Sequence, residues 1–250
     1  VVAHRTSPTN MGMALLANLA AYDFGYSTTG QLIDRTANTL ANMDKLDRYL
    51  GHFYNWYDTL TMRTLNPRFI STVDSGNLAG HLLTLRQGLL AIPNQKIADR
   101  KSFDGLLDTL RIISSLDRRY EDDLKKIHEE IEQEISSTLL TLPRLKKFME
   151  QILQHYESIV PDNEGSIEFK WWTNAFRNQI EAVITELTLL APWITLPDTP
   201  QKFIDLKLFL DIPTLVEIAR LDKELKPEFD KRLEEENSEE EKAWLTLAQA

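Results

Sequence analysis

Two short stretches concentrate side chains able to do chemistry: residues 52–59, HFYNWYDT, and residues 71–77, STVDSGN. Aromatic rings stand beside carboxylates, amides, hydroxyls and a histidine, with almost no Leu, Ile or Val between them. A saccharide presents apolar C–H faces ringed by hydroxyls, so a site for one combines flat aromatic faces with directed hydrogen-bond partners. Tyr54, Trp56 and Tyr57 supply the faces, and Asn55, Asp58, Asp74, Asn77 and His81 supply the partners. Alternation along an extended segment puts Tyr54, Trp56 and Asp58 on one side and Asn55 and Tyr57 on the other. One side can then face a cleft while the other packs. The same residues also suit a helix–hairpin–helix junction, with aromatics filling the core and Asp74 or Ser75 capping the next helix.

Other chemistries find less support. The chain has no phosphate-cradling Gly-rich loop, no HExxH pair and no GxSxG elbow. It has no Cys, which removes disulfides and thiolate metal sites. His52 and His81 are far apart in sequence, and His128 and His155 read as partly exposed residues of amphipathic helices, so neither a metal nor a cofactor is expected. A net charge of −10 argues against a nucleic-acid partner, which requires a basic footprint. No apolar run approaches the roughly 20 residues of a spanning helix, so this segment is not expected to insert into a membrane. No secretory leader is visible, and an opening VVAHRTSPTN without Met reads as a piece of something longer.

The elements that must position these residues divide into two regions, 1–90 and 91–250. The first carries 7 Lys+Arg against 6 acidic residues and seven of the nine Gly; the second carries 21 against 32, and the first Glu in the chain is Glu121. In the front region Ser7 and Pro8 open a helix that Gly25 stops. A second helix spans about Thr28 to Leu46, with Leu32, Ile33, Thr36, Leu40 and Met43 along one face. FYNWYDT and RFISTVD read as two extended segments joined by a turn at Asn66-Pro67, a small β-hairpin near 53–73. Helix resumes near Gly76 and carries Leu78, Leu82, Leu83 and Leu85. In the back region Ser102 opens a helix, Leu124, Ile127, Ile131 and Ile135 form an apolar stripe, and Pro143 begins or kinks another helix. PDNEGS at 161–166 and TLPDTP at 195–200 read as breaks on either side of the long helix FKWWTNAFRNQIEAVITELTLLAPW. Shorter helices are expected from about 200 to 225 and from 227 to the end, with RLEEENSEEEK as a solvated face. The fold class is all-α, with eight to ten helices.

The runs RTSPTNMGMALLANLAAYDFGY and GHFYNWYDTLTMRTLNPRFISTVDSGNLAGHLLTL closely resemble the start of the glycoamylase-like central module of cyclic β-1,2-glucan synthases. The resemblance is strong over residues 4–90 and looser from 91 to 225. It implies a partial (α/α) toroid followed by a helical bundle, in a polypeptide anchored at the cytoplasmic side of the bacterial inner membrane. It implies a β-1,2-glucan or related oligosaccharide as ligand, other domains of the same synthase as partners, and a part in chain processing or ring closure. Trp56, Asp58 and Asp74, with Tyr54, Asn55 and Asn77, become the expected substrate-binding residues. The family's catalytic carboxylates are expected downstream, so this segment is expected to shape a sugar site without catalysing turnover alone. Two readings compete with it: a helical interaction or scaffold module whose aromatic loop is core, and an autonomous glycoside hydrolase using Asp58 and Asp74.

Overall fold

In a computed structural model that describes residues 3–136, 141–160, 165–196, 200, 203, 211–236 and 238–249, the polypeptide divides into two units, Val1–Ile92 and Pro93–Ala250. Nine α-helices occur among the described residues, with two antiparallel pairs of two-residue strands. The protein is mainly helical.

In the first unit, Ser7 accepts a hydrogen bond from the Asn10 N–H and Pro8 lies in the first turn, so α1 (Pro8–Asp23) begins with its free amides partly satisfied. Gly25, at φ 75°, follows its C-terminus. Thr28 and Gln31 form a reciprocal capping box that starts α2 (Thr29–Asp44). Leu32, Thr36 and Met43 of α2 are buried, whereas Ile33 and Leu40 of the expected face are exposed. A helix packed on one neighbour buries a narrow stripe, and here the stripe excludes those two positions.

The third helix, α3 (Thr72–Ala91), starts one turn earlier than expected because Ser71, not Asp74 or Ser75, is its N-cap. It runs parallel to α1: Thr9 bonds Asp74, Gly12 meets His81, and Leu19 meets Gly88. A Cβ at Gly12 would lie 2.3 Å from His81 Nδ1 and 2.9 Å from its Cβ, so glycine is what permits this close approach. Leu15, Leu19, Leu78 and Leu85 fill the seam, each contributing roughly 1.5–3 kcal/mol on burial.

The connection between α2 and α3 is where the hairpin expectation needs correction. Strands β1 (Arg5–Thr6), β2 (Arg48–Tyr49), β3 (His52–Phe53) and β4 (Tyr57–Asp58) pair as β1 with β4 and β2 with β3. The chain reverses at residues 59–62, where the Met62 N–H reaches the Asp58 carbonyl, rather than at Asn66-Pro67. RFISTVD forms no strand; its backbone is bound to the aromatic stretch only at Asn55 and Phe69 before the helix begins.

The second unit is built on α4 (Arg100–Leu116), α5 (Glu121–Ser136), α6 (Leu142–Ile159) and α7 (Ile167–Leu190). Asp99 rather than Ser102 caps α4. Each helix packs on its sequence neighbour and α7 closes back on α4, the pattern of a four-helix bundle with short connections. Phe103, Leu110, Leu124, Ile127, Ile131, Met149, Ile152, Tyr156, Phe176 and Ile180 form one continuous core, with Ile135 partly buried beside it. Two further helices, α8 (Leu215–Glu235) and α9 (Glu239–Gln249), meet Phe203 around Phe229, Trp244 and Leu245. The helix runs through Pro227 instead of breaking there. Leu225 and Phe229, on either side of the proline, both pack into this cluster and hold the adjoining turns although Pro227 has no N–H to donate. The break falls at Glu236, whose backbone is extended. The expected breaks at 161–166 and 195–200 and the helix from about 200 lie largely outside the described residues, as does Asn237 in the acidic run.

Candidate functional site

The aromatic stretch alternates as an extended segment should. Asn55 (3% exposed) and Tyr57 (0%) are buried, while Tyr54, Trp56 and Asp58 are each half-buried. Tyr57 anchors the loop. Its hydroxyl donates to the Asp47 carbonyl at 2.6 Å and accepts the Tyr54 N–H at 2.8 Å, and its ring meets Phe53 edge-on. Burial pushes the Tyr57 phenol up, against the Tyr54 N–H that favours the ionised form. Asn55 is equally structural, its Oδ1 accepting the Phe69 N–H.

The strand register sorts the neighbouring residues. Thr6 pairs with Tyr57 and Arg5 with Asp58, while Tyr57 also bridges Thr64. The Asp58 N–H donates to the Arg63 carbonyl. One row, Thr6–Tyr57–Thr64, therefore carries the buried side chains Tyr57 and Thr64. The next row, Arg5–Asp58–Arg63, has both arginines exposed. On this side the Arg5 guanidinium lies 4.7 Å from the centre of the Trp56 ring, a cation–π contact.

Both acidic candidates are tied into the scaffold. Asp58 Oδ1 accepts the Thr61 N–H (2.7 Å), the Thr61 hydroxyl (3.0 Å) and the Leu60 N–H (2.9 Å). Those donors, the Thr61 N–H foremost, hold its carboxyl below the usual range. For Asp74 partial burial pushes upward, but donors from Thr9, Ser71 and Ser7 outweigh it and the carboxyl is lowered. Asn77 Nδ2 donates to Thr9 Oγ1, and Thr9 Oγ1 donates to Asp74 Oδ1 at 2.6 Å. This relay joins the N-terminal turns of the parallel helices α1 and α3. His81 points elsewhere, its buried Nδ1 packed on Gly12 with no hydrogen-bond partner among the described residues. His52 Nδ1 lies 3.3 Å from Ser75 Oγ.

The structure thus places Trp56 and Asp58 on the same open side and Asp74 with Asn77 at the helix ends; Asn55 lies on the packed side. Sequence reasoning missed Arg5 and Arg63, because residues far apart in sequence show no spacing that links them. Thr9 escaped for the same reason. Among the described residues no group of three or more His, Asp or Glu side chains is arranged to hold a metal, and no helix is long and apolar enough to cross a membrane. In the second unit an open groove of about 620 Å³ runs between α4 and α5 over Leu110 and Leu124. Several of its rim charges are paired along the helices, as in Arg111–Asp108 and Lys125–Glu129. His155, outside the groove, faces Glu130.

No protein-family model matches the chain. Over 130 residues, 51% of its length, the chain is 36% identical to the cyclic beta-(1,2)-glucan synthase NdvB of Rhizobium meliloti (strain 1021), and it spans 4% of that protein, so it is related over half its length to a small part of a much longer glucan synthase.

Proposed function

We propose that the first unit forms part of a β-1,2-glucan-binding surface in a synthase of this kind, used in chain processing or ring closure and not catalytic by itself. The observation that carries this reading is the similarity to the glucan synthase over half the chain. The alternation at 54–58 supports it, since the ring with a stacking role, Trp56, is left half-open while its neighbours anchor the loop. Tyr54, Asp58, Asp74 and Asn77 complete the surface, and Asn55 supports it from beneath. A glycosidase needs one carboxylic acid kept protonated as proton donor beside a second carboxylate. Asp58 and Asp74 are instead both held in the ionised form, which favours binding over hydrolysis. Within the longer polypeptide, this surface works with other domains at the inner membrane.

The test is Trp56→Ala. In a synthase carrying this segment it should impair ring closure while leaving the thermal midpoint of the isolated chain nearly unchanged. A fall in the thermal midpoint that corresponds to the roughly 3–5 kcal/mol lost with a core aromatic would refute the reading.

A second reading, an interaction module docking on other domains, draws on the outward side of α3. Val73, Leu83 and Leu90 are exposed there, with open space around Gly76 and Gly80. A helix apolar on several sides usually has several neighbours. Concentration-dependent association that Leu83→Glu abolishes, with no glucan binding, would favour this reading instead.

A further inference from the structure

The exposed row beside Trp56 carries charge that a neutral glucan does not require. Arg5 and Arg63 flank Asp58 across three adjacent segments, and neither guanidinium is in an ion pair among the described residues. Arg48 nearby, in contrast, is paired with Asp44 at 2.7 Å. Asp58, kept ionised by the three hydrogen bonds its Oδ1 accepts within the 58–61 turn, offsets one of the two arginine charges and leaves the other. The Arg5 contact with Trp56 has a further consequence. Stacking uses the face of a guanidinium and leaves its in-plane N–H donors available, and it holds the long side chain in place beforehand. The Arg5 fork preplaced beside a half-open indole, with the exposed Arg63 in the same row, suits the oxygens of an anionic group on a ring that lies against the aromatic surface.

We propose that this row makes the carbohydrate surface selective for a saccharide bearing an anionic substituent, phosphate or carboxylate, with the sugar against Trp56 and the anionic oxygens on Arg5 and Arg63. The proposal deepens the glucan-binding reading and rests on it. The full 250-residue chain is titrated by calorimetry with three probes: a neutral β-1,2-glucan oligosaccharide, the same oligosaccharide phosphorylated at a primary hydroxyl, and the same oligosaccharide oxidised there to a carboxylate. The charged forms should bind roughly three- to tenfold more tightly at low salt, and the advantage should shrink as salt rises from about 20 to about 300 mM. Arg63→Gln should lower that charged-to-neutral ratio toward one, with an unchanged thermal midpoint to show that the fold is intact. Arg63→Lys should restore part of it.

Phosphate preferred over carboxylate, or the reverse, identifies the substituent and supports the proposal either way. Equal binding of charged and neutral forms overturns the proposal and leaves the glucan-binding reading standing. A charged-form advantage that survives Arg63→Gln and Arg5→Gln also overturns it. Binding of none of the probes overturns both.

Discussion

Replacing Tyr57 with Phe removes one oxygen and leaves the ring in place, so it isolates what the hydroxyl does. That oxygen closes two hydrogen bonds, one to the Asp47 carbonyl and one from the Tyr54 N–H. Each is worth about 1 kcal/mol net, so the pair is worth about 2 kcal/mol. The edge-on contact with Phe53 and the burial of the ring remain. For a unit of about 90 residues, such a loss lowers the melting midpoint by roughly 8–16 °C. The chain has two units, so the measurement must be local, and amide hydrogen exchange reports the first unit alone. The Tyr54 amide should lose protection by a factor of about 30, the equivalent of 2 kcal/mol, while amides in the α4–α7 bundle stay as they were. Unchanged protection at Tyr54, with a midpoint moved by less than about 2 °C, would show that the hydroxyl does not anchor the loop.

Leu50 is 85% exposed at φ 48° and precedes Gly51 at φ 86°, so Leu50→Asn should stabilise the first unit by about 0.5–1 kcal/mol, read as a higher urea midpoint, because Asn-Gly suits that left-handed turn. Gly12→Ala should destabilise the first unit by about 1–3 kcal/mol, since the new methyl meets the base of the His81 side chain as well as its ring. Gly88→Ala should cost less in the same denaturation series, because the atoms it meets are the flexible tip of Leu19. The Asp74 carboxyl is lowered in the folded chain, so its contribution is present above the unfolded value near 3.8 and is lost as pH falls through the folded one. Asp74→Ala should therefore flatten the fall in first-unit stability between about pH 5 and pH 2, measured as urea midpoints at each pH; parallel wild-type and variant curves would count against it.

The sequence alone determined what depends on near neighbours. Ser7 with Pro8, Thr28 with Gln31, and the Leu124–Ile127–Ile131 stripe act within one or two turns, so their consequences can be read from spacing. The alternation at 54–58 is equally local, and the buried Asn55 and Tyr57 follow from it. The helix through Pro227 and the early start of α3 departed from these rules because distant contacts or a competing cap outweighed a local signal. The strand pairing lay beyond sequence for a sharper reason. Two-residue strands have no hydrophobic period, and Leu50 and Met62 occupy left-handed positions where turn rules expect Gly or Asn. Only the tertiary structure decided that α1 and α3 lie parallel, that Thr9 meets Asp74, and that Arg5 covers Trp56. Those contacts join residues more than fifty positions apart, and closing such loops costs entropy that only the assembled core of the unit can repay.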